Sequence, residues 1–250
     1  MCLLAIGWFR HPRWRLVMAG NRDEFHARPT RALDRWEDTP AVIGGRDLRS
    51  GGGWAGIGPE GRVAVVTNVR DPQAIQAGPS RGALVADYLR GRAAAPVHAD
   101  RLAEAASAYA PFNLLLADRD TLAYLANHPH ERRDLPPGVH GMSNGALDAP
   151  WPKTERLTSA LHRWLACGND DLSPLWEALA DEHRPADSAL PDTGIGLERE
   201  RWLSAAFIRG DDYGTRASTV FLVDHDGHGH AWERRWGPQG RAIGQGHVAF

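Results

Sequence analysis

Lysine is almost missing from this 250-residue chain: of 29 lysine and arginine residues, only Lys153 is a lysine. The shortage reads either as the residue bias of a GC-rich genome or as a supply of guanidinium forks for carboxylate and phosphate. The second reading can hold only for particular arginines. An excess of positive charge is also missing. Against 31 acidic residues the net charge is −2 and the pI near 6.6, so no global field draws nucleic acid or an anionic membrane. Cysteine is scarce, with only Cys2 and Cys167. That excludes a disulfide framework and, without a CxxC pair, a structural zinc site. Long apolar runs are absent. The opening MCLLAIGWFRHPRW is too short for a membrane helix and lacks the basic start of a signal peptide. The expected location is therefore cytoplasmic, with no integral membrane association. Low-complexity tracts are lacking too, and 42% hydrophobic with 24% charged residues is the composition of a folded chain. With no repeat and no linker, residues 1–250 are expected to form a single domain.

What is present begins with two short apolar strands, Cys2–Gly7 and Arg15–Ala19, expected to pair as a hairpin. Gly20–Leu33 reads as polar and irregular, and Gly44–Gly61 is dense in glycine. VAVVTN (Val63–Asn68) has the pattern of a buried strand. Leu84, Val85, Tyr88 and Leu89 recur at helical spacing behind Ser80, a capping residue. A second helix is expected over Asp100–Tyr109. A hairpin follows from Phe112–Asp118 and Leu122–Asn127, then a strand at Val139–Ser143. Helices are expected at Pro152–Ala166 and Leu172–Ala180, and a last hairpin pairs Thr219–Asp224 with His230–Arg235. Antiparallel pairs beside blocks of helices differ from the strict alternation of a doubly wound fold.

Cys2 is the first candidate for chemistry. A free cysteine in a strand is usually a small buried residue. With Met1 removed, however, it would carry a thiol and a free α-amine on one carbon, and that amine can serve as the base for its own nucleophile. Asn21-Arg22-Asp23-Glu24 follows the second strand. Four polar residues there commonly mean a solvated loop. If the first two strands pair, though, they start within reach of the Cys2 strand, where an arginine–aspartate pair can hold nucleophile and substrate oxygen.

Several segments then occur in order: MCLLAIGW at the start, NRDEFHARPT (Asn21–Thr30), GGRD (Gly44–Asp47), GWAGIG (Gly53–Gly58), TNVRDP (Thr67–Pro72), SRGALV (Ser80–Val85), HGMSNG (His140–Gly145) and YGTRASTVFLVD (Tyr213–Asp224). Along nearly its whole length the chain resembles the NRDE family, also called the transport and Golgi organisation protein family. The resemblance implies an α/β (α+β) fold, the four-layer αββα sandwich of N-terminal-nucleophile (Ntn) hydrolases with two antiparallel sheets. It further implies kinship with cysteine acylases that cleave penicillin V and bile-salt amides. On that pattern Cys2 is similar to the nucleophile, and Arg22 and Asp23 resemble the Arg/Asp pair, although their order and spacing differ and Asn21 or Glu24 could fill a role instead. Asn68 and Asn144 resemble the two oxyanion asparagines, and Arg216 the late arginine. Donors of this kind must converge to about 3 Å on one oxygen, so both asparagines are expected to point into the Cys2 cleft.

The resemblance supports two activities. One is a cysteine amidohydrolase for a small amide or acyl substrate, needing no cofactor. The other is a carrier that binds haem or an acyl-coenzyme A in the same cleft, where Arg22, Arg46, Arg70 or Arg81 would meet propionates or phosphates. An adaptor that uses the fold alone is the third reading. Trp54, between glycines, is expected at the mouth of the pocket. Gly51-x-Gly53-x-x-Gly56 matches a dinucleotide fingerprint, but no strand is expected before it and Gly58-Pro59 blocks the helix that should follow. His128-Pro129-His130 and the His225/His228/His230 tract lack a partner at zinc-site spacing and read as solvated turn residues, with no metal expected. Cys167 is expected to be an inert, partly buried thiol.

Overall fold

The computed structural model describes residues 2–74 and 77–250. Met1, whose removal the Cys2 chemistry assumes, lies outside the described residues. The chain opens with β1 (Leu3–Trp8), β2 (Trp14–Phe25), β3 (Thr30–Trp36), β4 (Thr39–Asp47), β5 (Gly53–Ile57) and β6 (Val63–Asn68). Two helices, α1 (Arg81–Arg90) and α2 (Ala95–Ala105), lead into β7 (Phe112–Ala117), β8 (Leu122–Asn127), β9 (His130–Leu135) and β10 (Gly138–Met142). Then come α3 (Pro152–Cys167), α4 (Ser173–Leu179) and α5 (Leu197–Leu203), and finally β11 (Tyr213–Asp224), β12 (Gly229–Trp236) and β13 (Ala242–Ala249).

Among the described residues the strands form two antiparallel sheets, in the orders β10-β1-β2-β11-β12-β13 and β3-β4-β5-β6-β7-β8-β9. Alternation along each strand sends one set of side chains to the sheet–sheet interface and the other to a helical layer. Leu4, Ile6, Leu16, Met18, Val65, Leu115 and Phe221 fill the interface. Leu84, Val85 and Leu89 of α1 cover Ala64, Val66 and Leu114 on one outside. Leu157, Leu161 and Trp164 of α3 cover Leu3, Ala5 and Val17 on the other. The result is the four-layer αββα sandwich.

Two expectations need correction. Gly20–Leu33 is not irregular, because β2 runs on through the polar Asn21–Glu24 to Phe25 and β3 starts at Thr30. Pairing on both flanks makes this possible: Leu3 faces Asn21 on one side, and Thr215 faces Asp23 on the other. A strand, β4, does precede the glycine fingerprint, but Gly53 and Gly56 lie within the strand β5, where the start of a helix would be needed. The strands β3, β9 and β13 each form an edge of their sheet.

One acid sits inside the interface. Glu233 of β12 is 2% exposed and accepts the Leu33 amide at 2.9 Å. Burial lifts its carboxyl to about 6, against the pull of that amide and of Arg235, Arg22 and Arg216. A carboxyl raised on folding binds its proton more tightly in the folded state, so stability falls as pH rises from about 4.5 to 6 and stays lower above. A shift of this size corresponds to about 2 kcal/mol. Glu233→Gln, which keeps an acceptor without the charge, should raise the melting temperature at pH 8 and leave it nearly unchanged at pH 4. A gain independent of pH in thermal scans would refute this account of Glu233.

Candidate active site

β1 and β2 pair so that Cys2, just ahead of β1, comes to lie beside Asn21 and Asp23. The Cys2 amide donates to the Asn21 carbonyl at 2.9 Å, and the Sγ donates to the Asp23 carbonyl at 3.4 Å. The Cys2 carbonyl in turn accepts the Ser143 hydroxyl at 2.7 Å. Cys2 is 7% exposed, and its remaining access is to a cavity of about 540 Å³. Of the residues singled out from sequence, the cavity wall brings together Cys2, Arg22, Asp23, Glu24, Trp54, Asn68 and Arg81.

Arg22 shares a strand face with Leu16 and Met18, which turns it toward the interface and the cavity. Its guanidinium stacks over Trp54 at 4.4 Å and lies 3.4 Å from Asp47 and 3.6 Å from Glu24. Trp54 holds that position because Gly45 lies beneath it: a Cβ there would come within 2.0 Å of the ring. Asp47 also takes Arg28 and the amides of Arg49 and Ser50 at 3.0 and 3.1 Å. Burial acts to raise the Asp47 carboxyl, but the Arg28 hydrogen bond, the Ser50 amide and the arginine charges outweigh it and hold the group below its ordinary range. The carboxylate therefore stays ionised and fixes two arginines at the cavity edge.

Asp23 faces the other way. Its carboxylate accepts the Thr215 hydroxyl at 2.7 Å and is fully enclosed. Burial raises it, while Lys153 and the Thr215 bond oppose the rise. The chain's sole lysine is itself buried, its Nζ bonded to the Leu203 carbonyl at 2.9 Å. Burial lowers the Lys153 ammonium, and Asp23 works to restore it. Each charge is thus the other's main electrostatic support in a dry region behind Cys2.

The other predicted residues lie outside the cavity wall. Asn21 donates to the carbonyls of Leu179 and Ala206, each at 2.8 Å, tying β2 to α4. Asn144 reaches the end of β6, but its side-chain nitrogen donates to the Asn68 carbonyl at 2.8 Å. Asn68 lines the cavity, and Asn144 holds Asn68 by its main chain. Arg70 pairs with Glu200 at 2.8 Å, and Arg46 clasps Asp38 with two bonds. Arg216 is the extra residue of a bulge between Thr215 and Ala217. It turns to the Phe25 and Arg28 carbonyls and to Thr30, lacing the β2–β3 turn.

Sequence reasoning missed Arg28, Asp47, Arg49, Ser50 and Ser80 of the cavity wall. Arg28 and Asp47 lie within NRDEFHARPT and GGRD, so those segments were the available signal. It also missed Lys153, whose signal was being the only lysine. Cys167 is exposed, not partly buried, because α3 ends there at Gly168, which takes a left-handed conformation with φ 65°. It borders a separate recess of about 870 Å³ between α3 and α4. His128 is bonded to Asp71 at 2.7 Å, and His230 to His247 at 3.1 Å.

The family described as Transport and Golgi organisation 2 matches residues 1–238. The Transport and Golgi organization protein 2 homolog of Bos taurus is 32% identical, over 91% of this chain and 90% of its own. The Homo sapiens homolog matches with the same identity and coverage. Among solved structures, penicillin V acylase from Agrobacterium tumefaciens aligns over 94% of this chain and 83% of its own, with a TM-score of 0.51 at 13% identity. A conjugated bile acid hydrolase from Clostridium perfringens covers 100% of this chain and 96% of its own, with a TM-score of 0.52 at 9% identity. A Caenorhabditis elegans ortholog of N-acylethanolamine-hydrolyzing acid amidase covers 88% and 92%, at 0.51 and 12%. These structures share the fold.

Proposed function

Because this chain belongs to the Transport and Golgi organisation 2 family and folds like Ntn hydrolases, we propose that it is a cysteine amidohydrolase acting through Cys2 on a small amide or acyl substrate. The observation that carries the reading is the placement of Cys2: a thiol held against Asp23, open to one polar cavity, at the start of a strand in the sandwich. With Met1 removed, the Cys2 α-amine takes the thiol proton as Sγ adds to the substrate carbonyl carbon. The C–N bond then breaks, the proton passes to the leaving amine, and a thioester on Cys2 remains. Water adds to that thioester, the C–S bond breaks, and the proton returns to sulfur. The acid product leaves with the water oxygen. Arg22 and the Asn68 amide, both on the cavity wall, serve as donors to the developing oxyanion.

A carrier role has one specific support, the arginines Arg22, Arg28, Arg49 and Arg81 around one cavity. These suit the phosphates of acyl-coenzyme A or the propionates of haem. Intact-mass spectrometry separates the two readings. Purified protein should lack Met1 and should gain the mass of one acyl group on Cys2, not Cys167, when mixed with reactive thioesters or amides. Retained Met1 together with an unmodified Cys2 would leave the carrier.

A further inference from the structure

The loop that steadies Cys2 is closed at its stem by a histidine that no step of the hydrolysis uses. Residues 143–147 run from the end of β10 to Asp148. They carry two holds on the cavity: the Ser143 hydroxyl on the Cys2 carbonyl at 2.7 Å and the Asn144 amide on the Asn68 carbonyl at 2.8 Å. At the stem, Asp148 and Gly141 are doubly joined. The Asp148 amide donates to the Gly141 carbonyl at 2.7 Å, and the Gly141 amide donates to the Asp148 carboxylate at 2.7 Å. Asp148 has a φ of 57°, a left-handed conformation unfavourable for a residue with a Cβ, so its bonds must hold it there.

His140 of β10 supplies the remaining bond. Its Nδ1 lies 3.0 Å from the other Asp148 oxygen, and its Nε2 lies 3.1 Å from the Pro136 carbonyl. Gly138 leaves room for the second contact, since a Cβ there would come within 3.3 Å of Nε2. Both partners are acceptors. A neutral imidazole has one N–H and can satisfy only one of them, whereas an imidazolium donates to both. The side chain is 11% exposed, so the imidazolium is the form that fits. Around the ring stand Asp148 and, on β9, Arg133 with its partner Glu131 at 3.0 Å. Alongside, β1 presents Ile6, and α3 meets β10 through Thr154 and Thr158 at Gly141. The Asp148 bond holds the imidazolium above the ordinary histidine range against burial and Arg133, and the Pro136 carbonyl adds to it. Burial acts to raise the Asp148 carboxyl, but the His140 bond and the Gly141 amide hold it below its ordinary range.

We propose that His140 is a positioning residue for the cleft: doubly protonated, it clasps the stem of this loop, so that Ser143 and Asn144 keep Cys2 and Asn68 in place. Its effect on turnover rests on the hydrolase reading, while the clasp itself does not. The folded state binds this proton more tightly than the unfolded chain does. The clasp is therefore fully present below about pH 6.5 and is lost as pH rises through the higher folded value.

The experiment compares acylation of Cys2 by a reactive thioester at pH 6 and pH 9 in wild type, His140→Ala and Asp148→Asn. At pH 6 both variants should be slower than wild type by about tenfold, the loss expected for a hydrogen bond between charged groups. At pH 9, where wild type has lost the same proton, the ratio should approach one. Ionisation of the Cys2 amine and thiol cancels in these ratios. Asp148→Asn keeps an acceptor for the Gly141 amide and serves if His140→Ala does not fold. Nitrogen-15 NMR of the wild-type histidine rings, with His140 identified by its loss in His140→Gln, should show an imidazolium at pH 7. A slowing independent of pH would make His140 a packing residue and overturn the proposal, as would a neutral ring at pH 7. If no protein is acylated at either pH, the hydrolase reading fails, and deuterium exchange of residues 143–148 decides the clasp. Protection lost in the variants at pH 6 but equal to wild type at pH 9 upholds it. Equal protection at both pH values overturns it.

Discussion

Cys2→Ala should abolish acyl transfer, lowering the rate by about 10³-fold or more, while the protein melts within a few degrees of wild type. The two halves of this expectation come from different contacts. The sulfur makes one long hydrogen bond, to the Asp23 carbonyl at 3.4 Å. The strand is secured by main-chain bonds and by the Ser143 hydroxyl on the Cys2 carbonyl, and alanine keeps all of these. Losing one small contact costs about 1 kcal/mol, or roughly 2–4 °C in a chain of this size. Cys2→Ser should retain only a trace of activity, because a hydroxyl is a weaker nucleophile at neutral pH. A carrier predicts something else: both variants bind ligand as wild type does, and none of the three proteins turns over. Stopped-flow acylation with mass detection, run beside differential scanning calorimetry, reads both halves. An alanine variant that still acylates at the wild-type rate would move the chemistry away from Cys2.

The sandwich was legible wherever side chains alone carry the signal. VAVVTN is β6 to the residue, and Ser80 caps α1 as its spacing implies, accepting the Gly82 amide at 3.2 Å. Segments whose strand character comes from partners were not legible. Asn21–Glu24 has no apolar alternation, and its strand geometry is imposed by β1 and β11 on either side. The edge strand β9, HERRDL, is polar because an edge can bear exposed charge without cost to the core.

For the site, the likeness to the acylases placed Cys2, Arg22, Asp23 and Asn68 at one cavity. It did not foresee that Asn144 would commit its amide to the Asn68 carbonyl, or that a bulge would turn Arg216 toward the β2–β3 turn. Both outcomes are set by backbone register, which residue types do not encode. The Lys153–Asp23 relation is long-range in the same way, joining the second residue of α3 to the tenth of β2.

The glycines of the cavity rim give the largest expected loss of stability, at Gly52. A Cβ at that position would lie 2.3 Å from the Gly82 carbonyl carbon and 2.4 Å from its oxygen. Main chain meets main chain here, so no rotamer can relieve the contact, and α1 must move away from the glycine-rich turn. Overpacking of this kind costs about 3 kcal/mol or more, a fall in melting temperature of roughly 6–12 °C. The displacement also carries Ser80, Arg81 and Gly82 off the cavity wall that they now form. Gly52→Ala should therefore slow Cys2 acylation as well as destabilise. Gly51→Ala is the internal control. That glycine has a φ of 75°, with nothing within 4 Å of where a Cβ would stand, so only left-handed strain remains, about 1–2 kcal/mol. Denaturant melts of the two variants should rank Gly52→Ala well below Gly51→Ala. The reverse order would mean that turn conformation, rather than the close approach of α1 to the turn, holds the cavity wall in place.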